Sequence, residues 1–237
     1  FGVFGIVFNA AHGMVPLVYL VGLVAMLFTA MSYQALSEAF PVAGSAYAFA
    51  ARGIGAEAGF IAGWAILLDY VIVPTLCYVV AANAFAALIP AIPKALWITV
   101  MLAFATAVNY VGVDVTARVN FFLLGLQSVV LAILVGFCFW GVQHHIGGAH
   151  WSLQPLYNPR ELTPGLVFGA LSLAVLSFLG FDAISTLSEE AADGPPAIAA
   201  ATILSLCLSA VLFVAQTYLA SLFVLGRTQF PAGAETN

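Results

Sequence analysis

Of the 237 residues, ten are acidic and five basic, so 6% of the chain is charged while 64% is apolar, with a mean hydropathy of +1.11. An average soluble domain is about 25% charged, so a soluble enzyme or binding domain is excluded, as are a disordered chain, which needs low hydrophobicity, and a nucleic-acid binder, which needs a basic face. The composition predicts a polytopic membrane protein in contact with the lipid bilayer and no nucleic-acid partner; the pattern along the chain makes it all-α, and no enzymatic activity or cofactor is expected of it.

A spanning helix needs about 20 mostly apolar residues. No charge occurs from Phe1 to Ser37, and His12-Gly13 and Pro16 interrupt that run. It reads as a half-helix over residues 1–9 and a span over 15–37. The next span is predicted over 58–80, with a possible extension to Leu88, and Pro90 and Pro93 close the connection after it. Spans follow over 95–113 and 119–142. A polar stretch, Gln143 to Pro164, precedes spans over 165–189 and 197–225. None of these runs alternates apolar and polar residues as the strands of a membrane barrel do. Gly55, Gly59 and Gly63 recur every fourth residue, a spacing that lets a second helix approach closely. The chain opens on Phe1 and reads as a piece of a longer protein. Five basic residues are too few for loop charge to set the orientation.

Two carboxylates fall inside spans, where burying a charge is costly. Asp69 lies twelve residues after Glu57, about 18 Å along a helix, which puts it near the midplane if Glu57 is interfacial. Asp182 follows Gly180 and Phe181 in mid-span, a natural place for a helix to break into two halves. Unwound backbone at that depth is tolerated only where it lines a cavity or is buried in protein. Its open carbonyl and amide groups, with the ends of the half-helices, suit ammonium and carboxylate ligands. Glu38, Asp114, Glu189, Glu190 and Asp193 fall at span ends and read as interfacial. His144, His145 and His150 fall in the polar loop and lack metal-site spacing, as do Cys77, Cys138 and Cys207 in apolar runs. Trp97, Trp140 and Trp151 suit the interfacial aromatic belt, and Trp64 reads as a packing residue. The only lysine, Lys94, lies between helices, which excludes a retinal Schiff base.

The segment from Phe181 to Glu190, Phe-Asp-Ala-Ile-Ser-Thr-Leu-Ser-Glu-Glu, resembles the sixth helix of the amino acid–polyamine–organocation permeases. Phe40-Pro41-Val42-Ala43-Gly44-Ser45-Ala46-Tyr47 is similar to the segment between their second and third helices. Gly59 to Trp64, then Leu68-Asp69-Tyr70 and Pro74, continue the likeness, and Phe4 to Val7 with Gly13 to Pro16 resembles the end of their first helix. The resemblance covers essentially the whole chain and is nearest to the putrescine-importer type. It implies a fold of two inverted five-helix repeats, of which this chain would hold the end of helix one through helix seven. It also implies a cytoplasmic N-terminus for the complete protein, and hence an external turn at His12.

The resemblance further implies secondary active import of amino acids or polyamines such as putrescine across the plasma membrane, with protons as the coupling partner. Gly180, Phe181 and Asp182, with Phe178 just before them, match the unwound part of helix six, and Asp69 and Tyr70 match a cavity-lining region of helix three. The expected substrate-binding set is therefore Asp182, Phe181, Gly180, Phe178, Asp69 and Tyr70, with Asp69 and Asp182 as proton-coupling candidates. Two departures stand out. The stretch after Glu189-Glu190 lacks the basic residues common in the family, and no lysine lies between Val119 and Val142. The competing reading is a receptor or structural subunit that keeps the fold without transporting.

Overall fold

A computed structural model describes residues 4–40, 42, 44–180, 184 and 195–230. Helix α1 covers Phe4–Ala10, α2 Val15–Ala39, α3 Ser45–Gly53 and α4 Ala56–Leu88. Helices α5 (Lys94–Val111) and α6 (Val113–Gln143) follow, then α7 (Pro164–Val175), which tightens into a 3-10 turn at Leu176–Phe178. Helix α8 (Pro195–Ser221) ends in a second 3-10 turn, Leu222–Val224. No strand occurs among the described residues. By length and apolar composition α2, α4, α5, α6 and α8 can each cross a membrane.

The core lies where α1, α2, α7 and α8 meet. On α2 the buried positions Val15, Val18, Tyr19, Gly22, Met26 and Ala30 recur at steps of three and four, one continuous stripe. They close against Val7 and Phe8 of α1, Ala170 and Ala174 of α7, and Leu206 and Ala210 of α8. The most extensive helix pair is α2 with α8. Gly22 makes the α2–α7 crossing tight: a Cβ there would stand 3.2 Å from the Phe178 ring.

A second group is built in succession along the chain, α3 on α4, α4 on α5 and α5 on α6. Two of the three spaced glycines explain the first contact. A Cβ on Gly59 would stand 2.5 Å from the Ala51 Cβ, and one on Gly63 would stand 3.0 Å from the Tyr47 ring. Gly55 departs from the expected pattern. It caps the start of α4 at φ 149° and packs against nothing, because the chain is still turning there. Trp64 departs as well: it remains half exposed beside Phe60 instead of entering a core. Between α5 and α6 stands a single residue, Gly112, at φ 127°. Asp114 and Arg118 therefore lie in the opening turns of α6 and not in a loop. Beyond its opening turns helix α6 is apolar and exposed for most of its length, which suits lipid as its surroundings, and only its end, at Gly141 and Val142, is buried.

The segment between α6 and α7 ties the two groups together at one end. Tyr218 of α8 donates to the Ser152 carbonyl at 3.0 Å, and Trp151 lies between Tyr218 and Phe139 of α6. Farther along, His12 and Glu161 pair at 2.7 Å. After α8 the chain returns to α1, where the Phe230 amide donates to Asn9 Oδ1 at 2.6 Å.

A cavity at the end of α7

Helix α7 begins where the sequence marks a start. Thr163 is the N-cap, its hydroxyl accepting from the Leu166 amide, and Pro164 occupies the first turn, where no amide donor is required. It stops early. Twelve α-helical residues and three in the 3-10 turn give roughly 24 Å, short of a hydrocarbon core of about 30 Å. Leu179 then turns extended, at φ −58° and ψ 146°, and Gly180 takes φ 100°. A side chain disfavours that positive φ, so glycine is what allows the chain to leave the helix here. The carbonyls of the last turn lose their helical partners where the ladder ends.

The end of α7 is fixed by its neighbours. Phe178 is 3% exposed and forms an aromatic cluster with Tyr19 of α2 and Phe213 of α8, at ring-centroid distances of 6.0 and 5.4 Å. The Tyr19 hydroxyl pairs with the Ser177 hydroxyl at 2.9 Å. Beside this cluster opens a cavity of about 280 Å³. Its α7 wall comprises Ser177, Phe178, Leu179 and Gly180, with Ile184 beyond. Its α8 wall is Ser205, Leu206 and Ser209. No charged side chain belongs to the described lining. The chemistry on offer is three hydroxyls, an apolar floor, and the carbonyl end of a helix, which carries partial negative charge.

Phe178 and Gly180 of the expected set thus meet at one cavity. Phe181 and Asp182 lie outside the described residues. Asp69 and Tyr70 sit on α4, about 20 Å from its start. Asp69 is partly exposed and forms no hydrogen bond or ion pair with another described residue, and neither residue lines the cavity at the end of α7. Tyr19, Ser177, Ser205, Ser209 and Phe213 were not legible as members of this region. Their one sequence signal is the four-residue spacing of Ser205 and Ser209, which places both on one face of α8.

The profile of the amino acid permease family matches residues 1–229. The low-affinity putrescine importer PlaP of Escherichia coli K12 is 37% identical over 94% of this chain and 49% of its own length. The branched-chain amino acid permease BcaP of Bacillus subtilis is 27% identical over 83% of this chain and 44% of its own. The methylthioribose transporter of Bacillus subtilis is 25% identical over 81% and 43%. The chain therefore spans about half the length of these relatives. No solved structure gives a significant match. With its apolar helices and a family match across almost its whole length, the chain belongs to the amino acid permease family and is an integral membrane protein.

Proposed function

We propose that the protein carrying this chain is a secondary active permease of the plasma membrane (the inner membrane in a Gram-negative bacterium) that imports amino acids or polyamines, driven by protons. The observation that carries this reading is that α7 ends at Leu179 and Gly180, short of a bilayer's thickness, beside a cavity. A helix that only packs has no need to forfeit backbone hydrogen bonds inside a membrane. An interrupted helix also favours a permease over a receptor or structural subunit. The amine of the substrate would sit at the carbonyl end of α7, with Asp182 completing its charge partners. Asp69, a carboxylate in mid-span, is the second candidate for an amine or for the coupled proton. Two carboxylates suit a diamine, the class named for the putrescine-importing relative. Alternating access would rock the group built on α2 and α8 against the group built on α4.

The test is uptake into proteoliposomes containing the full-length protein, with a panel of amino acids and diamines, with and without an inward proton gradient. Uptake of one class, stimulated by the gradient, is expected. Asp182→Asn should lower amine uptake at least tenfold at unchanged membrane expression. Asp69→Asn should shift the pH dependence or the substrate preference. Folded protein that takes up no member of the panel would favour the receptor or structural reading, and normal uptake by Asp182→Asn would remove that residue from the site.

A further inference from the structure

The α8 wall of the cavity offers a hydroxyl that bonds no other described residue. A serine or threonine in an apolar helix ordinarily turns back to a carbonyl of the preceding turn. This chain follows that habit at Ser32, Thr75, Thr99, Ser128 and Thr217, each bonded to the carbonyl four residues earlier. Around the cavity, Ser205 bonds the Thr202 carbonyl at 3.0 Å, and Ser177 is engaged with Tyr19 at 2.9 Å. Ser209 bonds no described residue. It stands one turn beyond Ser205 on the same face, with the packing of α8 left to its buried neighbours Leu206 and Ala210. Among the described residues nothing takes up its one donor and two acceptor sites, which leaves them facing the cavity.

We propose that Ser209 contacts the substrate and helps set its specificity, accepting a hydrogen bond from the substrate's ammonium group opposite the carbonyl end of α7. The assignment rests on the permease reading above and adds a residue to it. It follows from what the two walls can do together. Both present oxygen acceptors, neither described wall presents a cation, and the partial negative end of α7 favours a positive group between them. Phe178, Leu179 and Leu206 leave the rest of the space apolar, which suits the methylenes of a diamine or the side chain of an amino acid.

The experiment measures initial uptake rates of putrescine and leucine by the full-length protein in proteoliposomes, together with the thermal stabilisation each ligand confers on the purified protein. One hydrogen bond to a charged ammonium lost should raise KM roughly ten- to a hundredfold in Ser209→Ala, with Vmax within about twofold of wild type. Ser209→Thr, which keeps the hydroxyl, should recover most of that loss. Ser128→Ala on α6, away from the cavity, should match wild type and controls for handling. Wild-type kinetics in Ser209→Ala would overturn the assignment while leaving the permease reading intact. So would a loss confined to Vmax, or a KM rise that threonine does not rescue, since both mean packing. A wild-type protein that neither binds nor transports these amines would overturn both readings.

Discussion

Gly180 shows most directly how one residue determines the end of α7. A Cβ at Gly180 would meet nothing within 4 Å, so space is not the constraint there. The constraint is φ 100°, which costs an L residue about 1–2 kcal/mol. Gly180→Ala should therefore lower transport without lowering expression, by biasing the chain back toward continuous helix. Uptake normalised to surface protein measures this, and unchanged uptake would mean that the interruption tolerates a different backbone. Tyr19→Phe tests the anchoring of the same turn. It keeps the aromatic cluster and removes only the bond to Ser177, so it should cost about 0.5–1.5 kcal/mol of stability in a chemical or thermal unfolding series. Gly180 was legible in the sequence as a place for the helix to stop. Its supporting shell was not, because Tyr19 and Phe213 are distant in sequence and look like any other aromatic in an apolar run.

Helix by helix, the legibility of the fold follows the solvent. Uncharged runs locate the long helices, because the bilayer demands apolar length. The same apolarity hides which face of each helix packs: outside a membrane helix the surroundings are as apolar as a protein core, so no amphipathic stripe is required. The sequence therefore placed Asp69 by depth and could not show that its helix packs chiefly on α3 and α5. Small residues are the exception, since they report close approach directly. Gly59→Ala should destabilise the α3–α4 contact by about 1–3 kcal/mol, because the added methyl meets backbone that cannot swing aside. Gly125→Ala on α6, where a Cβ meets nothing, should be neutral or gain up to about 1 kcal/mol. Thermal unfolding in one detergent compares the two; equal effects would show that α3 is not docked as described. Helix α3 itself was missed because nine residues between two apolar runs look like a connection.

Across the whole molecule, the described helices fall into a packed group around α2 and α8 and a chain of successive neighbours from α3 to α6. The segment 144–163 links them, and its ties are unequal. His12 and Glu161 are each about one-third exposed, at 34% and 34%, so their pair is screened by solvent. Glu161→Gln should change unfolding free energy by less than about 1 kcal/mol at neutral pH. A larger loss would mean that the pair holds the segment in place, and not the apolar contacts of Trp151 and Tyr218.

The joint at Gly112 has a consequence for how the protein stands in its bilayer. With one residue between them, α5 must end at the depth where α6 starts. Their 18 and 31 residues correspond to about 27 and 46 Å of helix. The shorter helix nearly matches the hydrocarbon thickness when upright; the longer one can match it only by leaning steeply. Whatever excess the tilt does not absorb must leave the hydrocarbon at one end of α6, in the opening turns that carry Asp114 and Arg118 or near Trp140 and His144. The polar segment that follows therefore begins at a height set by the tilt of α6 from a glycine at its opposite end.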